Sequence, residues 1–166
     1  MLVVYLGTCL SLLASTKHLL FLAMSAPGLI VVAYALARSA YGVGLLVAAR
    51  VAWAPRGIRG LMVHSRSPVW EMHIRTSWVP LFGQRVASLN WSERASWRSS
   101  LAVRLFNHFC RRDRNFNPAV LVFRGLRRPL VFRFFYAFHE AADGRPQYLQ
   151  ELEGEMLGAL GVARAA

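Results

Sequence analysis

The sequence predicts an α/β protein in which N-terminal transmembrane helices precede a small domain of element order β-α-β-α-β-β-α. Three observations carry that reading. Before Trp53 the only charged side chains are Lys17, Arg38 and Arg50, and the first acidic residue is Glu71. Beyond residue 57, short apolar runs alternate with stretches whose apolar residues recur at helical spacing. Turn residues separate them: Pro55 and Gly57, Pro80 and Gly83, Gly125, and Gly144 with Pro146. The expected division is a membrane region over 1–53, a linker over 54–57 and a globular domain over 58–162.

Residues 19–37, LLFLAMSAPGLIVVAYALA, carry no charge and have the length that crosses a hydrocarbon core. Both flanks are apolar as well. The preferred partition is a helical hairpin. Its first helix ends near residue 24, Ser25-Ala26-Pro27 turns, and a second helix begins at Pro27, a residue favoured in a first turn. In the other partition only 18–37 spans. The hairpin places Arg38 near the middle of its second helix, where an unpaired charge is costly. No positive n-region precedes the apolar run, and Ala35-Leu36-Ala37 follows too long an apolar stretch for a cleaved signal peptide. Arg50, Arg56 and Arg59 close the apolar region, so the positive-inside rule puts the C-terminal domain in the cytoplasm, at the inner (plasma) membrane.

The elements of the domain follow in order. GLMVHS, ending at Ser65, reads as a first strand. Ser67 is a good N-cap and Pro68 a good first helical residue. Glu71 suits the positive end of the helix dipole, and Pro80 and Gly83 end the helix. RVASLNW, residues 85–91, is a second strand, and LAVRLFNHF, residues 101–109, a second helix. PAVLVFRG, from Pro118, is apolar enough to be buried on both faces. GLRRP is a turn, and LVFRFFYAF, residues 130–138, a fourth strand that makes a hairpin with the third. YLQELEGEMLGAL closes the chain as an amphipathic helix. The first crossovers should be right-handed and give parallel pairs, with the hairpin as an antiparallel edge.

The net charge is +12, and Lys17 is the only lysine, an arginine bias expected of a GC-rich bacterial coding sequence. Beyond residue 56, 16 basic and 8 acidic residues remain. Such a surface favours anionic partners, and beside an apolar anchor the expected partner is anionic lipid. Arg111, Arg112 and Arg114 before the third strand and Arg127 and Arg128 after it are the expected contacts. No recognised nucleic-acid motif accompanies the charge, so nucleic-acid binding through these arginine turns is a lesser alternative. The two cysteines, Cys9 and Cys110, show neither C-x-x-C nor zinc spacing and read as reduced. No metal ligand set or cofactor motif is present.

This order of elements, with Pro118 immediately before the third strand, resembles the thioredoxin-like fold superfamily over about residues 58–162. The resemblance implies that Pro118 stands where the family has a cis-proline facing the start of the first helix. There the family carries C-x-x-C; this chain has Ser65, Arg66, Ser67 and Pro68. A serine hydroxyl cannot form a disulfide, so thiol–disulfide exchange is excluded at this position.

His64, Ser65, Ser67, Glu71 and His73 cluster in ten residues, but not as a catalytic set. His64 and Ser65 point to opposite sides of a strand end, and Glu71 and His73 are two apart on a helix. Capping and dipole roles account for them. The expectation is a non-catalytic binding or assembly protein at the membrane face, with an unidentified protein partner. The alternative is an enzyme holding glutathione or another anion at Ser65, Ser67 and Pro118, because helix starts bind anions.

Overall fold

The computed structural model describes the backbone of residues 2–110 and 116–162, with side chains from residue 27 onward. The chain forms two compact units, Met1–Tyr41 and Gly42–Ala166.

Helix α1, Leu2–Trp53, is continuous and contains Pro27 in its interior. The expected turn at Ser25-Ala26-Pro27 is therefore absent, and one helix replaces the hairpin. A continuous helix keeps the backbone groups of this segment paired within it, and Pro27 forfeits a single N–H. Among the described residues, Pro27–Arg56 is long and apolar enough to cross a membrane. Over residues 27–37 its side chains are exposed on every side: Ile30 is 68%, Val31 65%, Tyr34 65% and Leu36 66% accessible. An all-round apolar helix left uncovered by its own protein is suited to lipid.

In the second unit the sheet has the order β2-β1-β3-β4. The strands are β1 (Gly60–His64), β2 (Val86–Asn90), β3 (Ala119–Arg124) and β4 (Arg127–Arg133). β1 and β2 are parallel, with Gly60 opposite Val86 and His64 opposite Asn90. β3 is antiparallel to both neighbours, β1 and β4. The parallel expectation thus holds for the first crossover and fails for the second, because β3 enters from the opposite end.

Side-chain alternation divides the core into two layers. Leu61, Val63, Ala119 and Leu121 point to one face, Met62, Val120 and Val122 to the other. Helix α4 (Leu101–Phe109) covers the first face, capped by Ser100, whose Oγ accepts from the Val103 N–H at 3.3 Å. Leu45, Ala49 and Trp53, from the last three turns of α1, pack in the same layer. The compact unit thus begins well inside the stretch that composition assigns to the membrane.

The other face is covered by three helical stretches. The first runs over 71–82 and comprises α2 (Glu71–His73), a π-helical turn (Ile74–Trp78) and α3 (Val79–Phe82). The wide turn immediately precedes Pro80, whose ring would collide with the carbonyl four residues back in a regular helix. The helix accommodates Pro80 in this way and ends at Gly83, φ 51°. The others are α5 (Phe135–Ala142) and α6 (Gln147–Leu160). Trp78 stacks edge-on against Phe134 at 4.6 Å in the centre of this layer.

The expected fourth strand over 130–138 is corrected here. Gly125, φ 65°, and Leu126 alone make the hairpin turn, so β4 starts at Arg127 and ends at Arg133. The aromatic run then becomes α5. Phe134, Ala137, Phe138 and Ala141 recur at helical spacing and all reach the core. Arg127 and Arg128 consequently lie on a strand, exposed, and not in a turn.

Candidate functional site

β1 delivers His64 to the end of the sheet where β3 begins, one step beyond the pair Val63–Ala119. The Asn117–Pro118 peptide, just before β3, is cis, as the resemblance implies for Pro118. Pro118 is buried, and its carbonyl accepts from the Phe134 N–H at 2.9 Å.

The segment between β1 and α2 is tied down on both sides. The Arg66 N–H donates to Ser92 Oγ at 3.0 Å, and the Arg66 guanidinium pairs with Glu93. Glu93 also accepts from Asn90 Nδ2 at 3.0 Å, while Asn90 Oδ1 accepts from the Ser92 N–H at 3.0 Å. The Trp70 indole N–H reaches back to the Ser65 carbonyl at 3.1 Å. Ser67 is not the helix N-cap expected of it, nor Pro68 the first helical residue: α2 begins at Glu71 behind Trp70, and Ser67 Oγ accepts only from the Val69 N–H at 3.4 Å in the turn ahead of the helix. Its carbonyl makes the firmer bond, to the Glu71 N–H at 2.8 Å.

Two buried polar atoms at this end have no hydrogen-bond partner, His64 Nδ1 and Asn117 Oδ1. The imidazole is held below its ordinary pKa by burial, which outweighs its backbone contact to Ser65 and the attraction of Glu71 and Glu93. It is therefore neutral at pH 7, with one ring nitrogen to offer as donor or acceptor. Buried polar groups are normally paired, and among the described residues neither of these atoms finds a partner.

The sequence identified Ser65, Ser67 and Pro118, and the fold gathers them at this end of the sheet. Asn117 was missed, although its place before Pro118 was a usable signal. The Arg66–Glu93 pair was also missed, since 27 residues separate the two. Arg127 and Arg128 lie toward the opposite end of β3 and take no part. Arg111, Arg112 and Arg114 fall outside the described residues. His73 does not meet Glu71; its Nε2 lies 2.6 Å from Glu153 Oε1 on α6. Cys110 is fully buried beside Leu105 and Phe106 on the first face of the sheet.

Comparison with protein-family models, curated proteins and solved structures finds no match to this chain.

Proposed function

We propose that this chain is a membrane-anchored, non-catalytic binding or assembly protein whose domain is thioredoxin-like and lies on the cytoplasmic side of the inner membrane. The observation that carries the reading is the segment Ser65–Pro68. On the thioredoxin-like reading it stands where that family has its redox motif; it contains no thiol, and is fastened by Arg66 to Glu93 and by Ser65 to Trp70. The sheet order, the antiparallel β3 and the cis bond before it support the thioredoxin-like part. The uncovered aliphatic surface of α1 supports the anchor, and anionic lipid and an unidentified protein are the partners that this reading implies. A reporter enzyme active only outside the cytoplasm, fused after Ala166, stays silent under this reading. Activity of that fusion overturns the orientation.

A second reading has one observation in its favour: the unpartnered atoms of His64 and Asn117. Under it, the end of the sheet beside Ser65, Ser67 and Pro118 holds a small polar ligand such as glutathione or phosphate. Titrating either against the isotope-labelled chain shifts the amide resonances of Ser65–Val69 if this reading holds; unmoved resonances remove it.

A further inference from the structure

The opposite end of the sheet is built differently. Two adjoining clefts open there. One, of about 410 Å³, has a floor of Trp53, Ile58 and Phe123 and carries Arg50 and Arg59. The other, of about 350 Å³, carries Arg56, Arg59 and Arg85. Gly57 and Arg59 belong to both.

The four arginines converge from separate places in the chain. Arg50 lies on α1, Arg56 in the short 3-10 turn after it, Arg59 ahead of β1 and Arg85 ahead of β2. Arg59 is fixed by its backbone, whose N–H donates to the Arg85 carbonyl at 2.7 Å and whose carbonyl accepts from Phe123 at 2.9 Å. The guanidinium groups lie against neighbouring turns: a Cβ on Gly125 would stand 3.9 Å from Arg50 Nη1, and one on Gly161 3.4 Å from Arg59 Nη1, both ordinary contacts. Among the described residues, no carboxylate lines either cleft. The ion pairs of the described residues, Arg66–Glu93 and His73–Glu153, involve none of the four.

A helix-end role explains part of this cluster. Arg56 Nη1 lies 3.3 Å from the Ala52 carbonyl near the end of α1, and Arg59 borders the carbonyl end of α6. Arg50, in the last turn of α1, is covered by the same role, which leaves Arg85 unexplained and supplies the group with no counter-charge. Like charges gathered without a counter-charge repel one another, and an anion that bridges them turns that cost into attraction. Guanidinium groups match the oxygens of a phosphate in two-pronged hydrogen bonds. We infer that the paired clefts around Arg50, Arg56, Arg59 and Arg85 form a binding site for a phosphate-bearing anion. The apolar floor at Trp53 and Phe123, and the exposed Val47 and Val51 on the same helix, suit a phosphate attached to a lipid. Only the lipid as source rests on the membrane-anchored reading; the site does not, and alkaline carbonate extraction of the chain from membranes checks the anchor separately.

The test uses the full chain in a neutral detergent and counts bound lipid by native mass spectrometry, with phosphatidic acid, phosphatidylglycerol and phosphatidylcholine as probes. The two anionic lipids are expected to bind at least tenfold more tightly than phosphatidylcholine. The double variant Arg50→Gln/Arg59→Gln should abolish that preference, while the charge-matched Arg75→Gln/Arg98→Gln, at residues that line neither cleft, should keep it. Ala54→Phe, which fills the first cleft without altering charge, should weaken binding by a similar factor. Its unchanged tryptophan emission and melting midpoint show that the fold survives. Millimolar inorganic phosphate that displaces the lipid identifies a free phosphate as sufficient; failure to displace identifies the lipid. Either result supports the site. Equal binding of all three lipids, or equal losses in the two double variants, overturns it.

Discussion

At Glu153 one carboxylate oxygen serves two donors from another helical stretch. It accepts the indole N–H of Trp78 and lies against the His73 ring, each at 2.6 Å. Trp78 is 1% accessible, so losing its acceptor strands a buried donor. Glu153→Ala is expected to cost about 2 kcal/mol of unfolding free energy in denaturant titrations, the usual penalty for an unmade buried hydrogen bond. Glu153→Gln, which keeps an acceptor oxygen, should recover more than half. Equal losses would show that this contact does not hold α6 to the helical stretch over 71–82. His64 makes a different prediction. Its pKa in the folded state lies below the ordinary 6.5, so the unfolded chain binds the proton more readily. Stability on its account is present above about pH 6.5, falls as pH drops toward the lowered native value, and is flat below it. His64→Gln should flatten that slope in unfolding curves taken between pH 7 and 5; an unchanged slope would remove the assignment. At this scale the sequence was legible only where the partner was local. Pro118 before a strand could be read from its neighbours, whereas Ser67 was misjudged as a helix N-cap because the helix starts only at Glu71. Glu153 with Trp78, or Arg66 with Glu93, could not be read so, because only the folded sheet brings them together.

Among elements, α1 shows how far composition reaches. Its length and apolarity were visible in the residues, but its continuity was not. Ser25-Ala26-Pro27-Gly28 carries the signals of a turn in water, yet α1 runs through it. If α1 crosses a bilayer, Val31→Arg with Leu36→Arg should release the chain. Each arginine costs about 2.5–3.5 kcal/mol in a membrane helix on the insertion scale. Carbonate extraction reads the outcome, and full retention of the double variant in the membrane pellet would count against the anchor. The β4–α5 boundary was hidden for another reason. FRFFYAF is apolar but for Arg133, so alternation and helical spacing fit it equally well. The hairpin turn at Gly125 settles the register by starting β4 early, which leaves Phe134 onward free to wind.

For the molecule as a whole, the succession of four strands along the chain and the helices on both faces of the sheet follow from the pattern of apolar runs, but the direction of β3 and the start of the folded unit do not. Pro55 and Gly57 look like a linker, yet Leu45, Leu46, Ala49 and Trp53 on the near side of them are 4–8% accessible. Full burial of each large apolar side chain is worth about 1.5–3 kcal/mol. Losing three of them would consume much of the stability of a domain, typically about 5–15 kcal/mol. A chain beginning at Ile58 should therefore bind hydrophobic dyes and melt without a cooperative transition, whereas one beginning at Gly42 should unfold in a single step. Equal cooperativity in the two would show that the end of α1 is dispensable to the core.

The two borders of the sheet are not alike. β4 carries Pro129, which has no N–H to offer, and the exposed Arg127, Arg128 and Arg133, whose like charges repel a second copy of themselves. β2, with the sequence Val86-Ala87-Ser88-Leu89-Asn90, has no charge and no proline. Copies of the chain crowded together thus have one open address for joining sheet to sheet, and it is β2. Ser88, exposed midway along that strand, is the position where a single charge would close it.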